Sequence, residues 1–160
     1  MRHAGTEQRT PRDTMKQTSS VEIELDCKRV STLFGTPENE SDWQASFISR
    51  EHLEGTPGQP GARALLKHML GSNEVSITET IVERDLPDRC RVQYEMRWMS
   101  IDAVSHFEGL SNGRTRWTMH TRFACKGFMK FIAMIMPGVF RKTNLRVMAA
   151  FKVYAERKKQ

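Results

Sequence analysis

The segment from Lys126 to Gln160 constrains the fold more than any other part of the chain. It joins a long apolar helical pattern to a single break at Pro137-Gly138. Before the break, the run from Phe128 to Met136 is apolar except for Lys130. After it, Phe140, Asn144, Val147, Met148, Phe151 and Ala155 recur at helical spacing on one stripe, with Arg141, Lys142, Arg146 and Lys152 off it. A helix this apolar requires a broad concave partner. Residues 20–125 supply one if they form a curved sheet.

Their pattern predicts such a sheet. Val21, Ile23 and Leu25 alternate with Glu22, Glu24 and Asp26, which predicts a first strand from Ser20. Short helices are predicted over 28–34 and 38–44, separated by Gly35-Thr36-Pro37. Strands follow at 45–54, 62–70, 74–83, 89–98, 103–110 and 114–125, with glycine- and proline-bearing turns at 55–61, 86–88 and 111–113. In the strand 89–98, Cys90, Val92, Tyr94, Met96 and Trp98 share one face, and Arg89, Arg91, Gln93, Glu95 and Arg97 share the other. In the last strand, Trp117, Met119, Thr121 and Phe123 oppose Arg116, Thr118, His120 and Arg122.

A sheet with one dry face must curl over an apolar element, and the terminal helix is the only long one. The expected class is α+β, a curved antiparallel sheet of about seven strands around a long carboxy-terminal helix, with two short helices after the first strand. Residues 1–19 are polar and are expected to form a disordered tail, within which Met15 is a second possible start. The domain then covers 20–157, and 158–160 form a polar end.

A chain of 160 residues fits one domain. No apolar stretch reaches the roughly 18 to 20 residues of a membrane-spanning helix. The amino terminus carries Arg2, Arg9, Arg12 and Lys16 without the apolar core of a secretory signal, so a cytoplasmic location is expected. Cys27, Cys90 and Cys125 form no CxxC pair and leave an odd one over, which suits buried thiols in a reducing compartment better than a disulfide framework and gives a zinc site little support.

The net charge of +6 is uneven. Residues 20–125 hold twelve basic against sixteen acidic side chains, whereas 126–160 hold nine against one. Such a terminal helix is a solvated outer face or a contact for anionic membranes or acidic partners. Its basic residues are not interleaved with exposed aromatics in a nucleic-acid recognition module, so no nucleic-acid partner is expected.

With this order of elements, four stretches carry a resemblance: Asp42-Trp43-Gln44, Leu53 to Ala62, Gly113-Arg114-Thr115-Arg116-Trp117 and Met136-Pro137-Gly138. Over residues 20–157 the chain resembles the START-like (SRPBCC) superfamily, the polyketide cyclase/dehydrase and lipid-transport group. The resemblance implies a helix-grip fold with a hydrophobic cavity between sheet and helix. Members bind lipids, sterols or polyketides, a minority catalyse cyclisation or dehydration, and several dimerise, so a homodimer stays open. No universal catalytic motif, cofactor or metal comes with it.

Strand and helix parity then name a lining. Tyr94, Met96, Phe107, Trp117, Met119 and Phe123 from the sheet are expected to face Met136, Phe140, Asn144, Val147, Met148 and Phe151 from the helix. Asn144 needs a hydrogen-bond partner, in protein or ligand. Glu79 shares parity with Val75, Ile77 and Ile81. A register break or an edge position leaves it in water, while an inward one makes it a general acid or base alongside Tyr94. The histidines are expected on the surface or rim, with His52 and His68 near each other across the turn. Pro137-Gly138 lets the helix follow the sheet or hinges a lid over 127–136.

The leading expectation is binding, or transport, of a hydrophobic small molecule or lipid. Its alternatives are a cyclase or dehydratase and a membrane-surface or protein-interaction module that uses the basic helix.

Overall fold

A computed structural model describes residues 14–159. Seven strands form one antiparallel sheet: β1 (Thr14–Ile23), β2 (Phe47–Glu54), β3 (Arg63–Leu70), β4 (Asn73–Asp85), β5 (Arg89–Glu95), β6 (Met99–Gly109) and β7 (Thr115–Cys125). Their spatial order is β1-β7-β6-β5-β4-β3-β2. Between β1 and β2 lie α1 (Cys27–Phe34), a single 3-10 turn (Pro37–Asn39) and α2 (Glu40–Trp43). After β7 come α3 (Phe128–Ile135) and α4 (Gly138–Arg157).

The sheet begins earlier than its composition suggests. Residues 14–19, expected in the tail, belong to β1, where Met15 lies opposite Phe123 and Lys16 opposite Arg122. This edge strand puts Lys16, Thr18 and Ser20 in water, so its polar sequence hides its pairing. The rest of the expected tail, residues 1–13, lies outside the described residues, as does Gln160.

Local chemistry sets the helix limits. Asp26 caps α1 by accepting the Arg29 amide at 3.0 Å, and the chain leaves the helix at Gly35. Pro137 has no amide to donate, so the terminal helix divides into α3 and α4 around Met136-Pro137.

Two clusters fasten the helices to the sheet. In the larger, the Trp117 ring lies 5.3 Å from Phe34, 5.7 Å from Phe107 and 5.4 Å from Phe151. Its indole N–H donates to the Ser105 hydroxyl at 3.0 Å. Ile23, Val30 and Met148 complete this sealed core. Each fully buried side chain of this size contributes about 1.5–3 kcal/mol. The smaller cluster holds Phe123, Cys125, Ala133 and Phe140, with Phe123 and Phe140 rings 4.8 Å apart. Helix α4 packs chiefly along β1 and against α2. The fold thus ties the helix to one half of the sheet.

Candidate functional site

Cross-strand register decides what the α4-facing side of the other half carries. Ala64 pairs with Glu79, Glu79 with Tyr94, Tyr94 with Ile101 and Ile101 with Phe123. Paired residues point to the same face, and Phe123 packs beneath α4 against Phe140. Glu79 and Tyr94 therefore point inward. The β4 bulge falls between Ile81 and Glu83, beyond Glu79, so it does not turn the carboxylate out. Glu79 is only 7% exposed, which corrects the water-facing reading.

Two residues outside the predicted set meet it there. Arg50 on β2 donates from Nη1 to Glu79 Oε1 at 2.9 Å. Its Nε and Nη2 form a fork onto the Glu40 carboxylate of α2, at 3.0 and 3.1 Å. One guanidinium thus ties the short helix to two strands. His68 on β3 is buried beside the cluster, with Nδ1 3.0 Å from the Ser46 hydroxyl.

The cluster's electrostatics follow from burial and proximity. Burial raises the Glu40 pKa above its ordinary value; the Arg50 bond and charge oppose this, and Glu79 and Glu38 reinforce it. Burial works against the Arg50 charge, but bonds to Glu40 and Glu79 outweigh it and drive its pKa further up. Burial, then Arg50, holds His68 below the ordinary imidazole value, with Glu79 pulling the other way. Tyr94 is raised well above the ordinary phenol by burial, then by Glu79, Glu40 and Cys90 against the opposing Arg50. It is therefore a neutral hydrogen-bond donor at neutral pH. Tyr94 is half-buried and keeps some accessible surface.

The predicted lining divides. Trp117, Met148 and Phe151 are sealed in the aromatic core with Phe107 and Met119, and Phe34 of α1 packs on Phe107, Trp117 and Phe151. These five, expected on the pocket wall, have little or no exposed surface. Phe123 and Phe140 fill the smaller cluster. Met136 stands in solvent at the α3–α4 break. Asn144 is buried and donates from Nδ2 to Thr121 Oγ1 at 2.8 Å, a protein partner. Tyr94, Met96 and Val147 keep accessible surface.

The histidines also rearrange. His52 faces Ala64 across the ladder and His68 faces Phe47, so the two are not neighbours. His52 is exposed and bonds the Gly55 carbonyl at 2.9 Å. His68 is in the interior rather than at the rim.

A register shift between Phe47 and Ser49 breaks the β2 alternation, so Arg50 cannot be placed from its own strand. The signal lies in β3, where Ala64, Leu66 and His68 are buried in strict alternation and Leu66 pairs with Arg50. Two surface depressions, of about 380 and 460 Å³, lie elsewhere. The first is on α1 at Lys28 and Leu33. The second is on the outer sheet face at Lys16, Arg91 and Arg122.

No family model and no curated protein matches the sequence. Solved structures do. The Zhui aromatase/cyclase from a Streptomyces species superposes with a TM-score of 0.76 at 12% identity, over 92% of this chain and 96% of that one. The chain has the START-like helix-grip fold. Norcoclaurine synthase from Thalictrum flavum, in a complex with dopamine and hydroxybenzaldehyde, gives 0.69 at 14% identity over 92% and 89%. The major latex-like protein of Panax ginseng gives 0.65 at 17% over 89% and 98%. At such identity the likeness is one of fold.

Proposed function

We propose that the chain binds a hydrophobic small molecule or lipid between the sheet's inner face and helices α3 and α4. Tyr94 and the Glu40/Arg50/Glu79 cluster hold its polar end. The observation that carries this reading is the cluster itself, three charges on a face whose neighbours Ala64, Leu66, Ile77 and Ile101 are apolar. Burying such charges costs several kcal/mol per ion, on the order of what their attraction returns, so a face serving only as core gains little from them. Apolar walls with a few convergent polar groups are the usual make-up of a small-molecule site.

The same groups set a preference. With both carboxyls ionised the cluster has one more negative than positive charge, and Arg50 is engaged by both. A neutral or cationic polar end is favoured over a carboxylate. The Tyr94 O–H supplies a donor for a ligand acceptor, and Ile77, Val92, Ile101 and Val147 offer apolar contact. Titration with an uncharged environment-sensitive dye tests this. Saturable binding that Ile77→Trp removes, with cooperative unfolding retained, is expected; equal binding by that variant places the dye elsewhere and overturns the reading.

The pairing of Glu79 with Tyr94 favours a second reading, a cyclase or dehydratase in which Glu79 accepts a proton and Tyr94 donates one. Turnover of an aromatic polyketide-like substrate, abolished in Glu79→Gln while binding persists, separates this reading from binding alone.

A further inference from the structure

The α3 helix is apolar on the side it buries and on the side it shows. Met129, Ile132 and Ala133 turn toward the protein. Phe128, Phe131, Met134 and Ile135 face outward, at 70, 54, 71 and 60% exposure. A helix on a protein surface ordinarily turns polar residues to water. The Phe128 and Phe131 rings lie 6.4 Å apart, so the exposed face is continuous.

A second element meets this face. The Lys126 amide donates to the Trp98 carbonyl at 2.8 Å, which sets the β5–β6 turn beside the start of α3. Trp98 is half exposed, with the Arg97 guanidinium 4.9 Å from its ring centre. Exposed Lys126 precedes α3 and exposed Arg141 and Lys142 follow it near the start of α4, and no acidic residue occurs between Lys126 and Ala155.

We infer that this face docks on an anionic bilayer surface. Phe128, Phe131, Met134 and Trp98 enter the headgroup boundary, and Lys126, Arg141 and Lys142 pair with lipid phosphates and carboxylates. Apolar side chains ringed by basic ones are what an interfacial helix uses, and an aromatic with a cation above it suits the headgroup layer. Among the described residues no helix is long and apolar enough to cross a membrane. The contact is therefore peripheral. Protein partners would need matching acidic and apolar groups, whereas an anionic bilayer supplies both everywhere on its surface.

Co-sedimentation of the full chain with phosphatidylcholine vesicles, with and without phosphatidylserine, tests this. Binding is expected with phosphatidylserine at low salt, weakening as salt rises, with a blue shift of tryptophan emission that Trp98→Phe removes. Phe128→Ser with Phe131→Ser, and separately Arg141→Glu with Lys142→Glu, are each expected to weaken binding by about tenfold or more. All four residues are exposed, and thermal unfolding verifies that the variants fold. The interior variant Ile77→Trp is expected to bind vesicles as the parent does, which separates this inference from the ligand site. No sedimentation at low salt, or equal binding by both pairs of variants, overturns it. So does a concentration-dependent dimer that the Phe128/Phe131 pair dissolves, which assigns the face to a second copy.

Discussion

Arg50 donates to Glu79 at 2.9 Å while its other nitrogens grip Glu40, so one cation offsets a buried and a half-buried carboxylate from separate elements. Removing the cation alone leaves both anions facing a low dielectric. Arg50→Met is expected to cost about 3–5 kcal/mol in urea unfolding. The triple variant Arg50→Met, Glu40→Gln, Glu79→Gln is expected to recover most of that loss. If Arg50→Met is near neutral, the cluster is solvated rather than buried.

His68 carries a pH signature. Its folded pKa lies below the ordinary 6.5, because burial and then Arg50 disfavour the imidazolium. Through 6.5 the unfolded chain takes up a proton that the folded chain does not. Stability is therefore expected to be fully present above 6.5 and to decline as pH falls toward the folded value. Urea midpoints at about pH 7.5 and about 5.5 measure this. His68→Asn is expected to flatten the part of the profile that His68 contributes.

The Asn144 amide has its partner in Thr121 at 2.8 Å. Asn144→Ala is expected to cost about 2 kcal/mol, since a buried hydroxyl loses its donor and a small void opens. In a double-mutant cycle with Thr121→Val, a coupling of about 1 kcal/mol is expected. Additive losses would mean that the bond contributes nothing.

Gly127 joins β7 to α3 at φ 57°, and a Cβ there would lie 3.3 Å from the Trp98 ring. Gly127→Ala is expected to cost about 1–2 kcal/mol. It should also shift the tryptophan emission as the ring moves. Adding Trp98→Ala is expected to relieve the contact but not the backbone term, so stability recovers only in part.

What could be read before the structure follows from which patterns are local. The alternation of Cys90, Val92 and Tyr94 and the stripe of Phe140, Met148 and Phe151 are consequences of one element's own period. They located the strands and the helix face correctly. Arg50 and Glu40 were not legible, because a register shift in β2 and a four-residue helix carry no period. Phe34 packing on Trp117 is likewise a long-range contact, and no single element's period shows that Trp117, Met148 and Phe151 share one buried cluster with it. Glu79 needed the neighbouring strand: its own parity was right, and only its pairing with Tyr94 excludes an exposed edge.

Native mass spectrometry of the freshly purified protein, with extraction and identification of whatever small molecule it carries, tests the central claim most directly. The account predicts a stoichiometric apolar ligand with a neutral or cationic polar end, retained when Arg141 and Lys142 are changed to Glu and absent from Ile77→Trp. An empty protein that also ignores a panel of uncharged and cationic apolar compounds would contradict it.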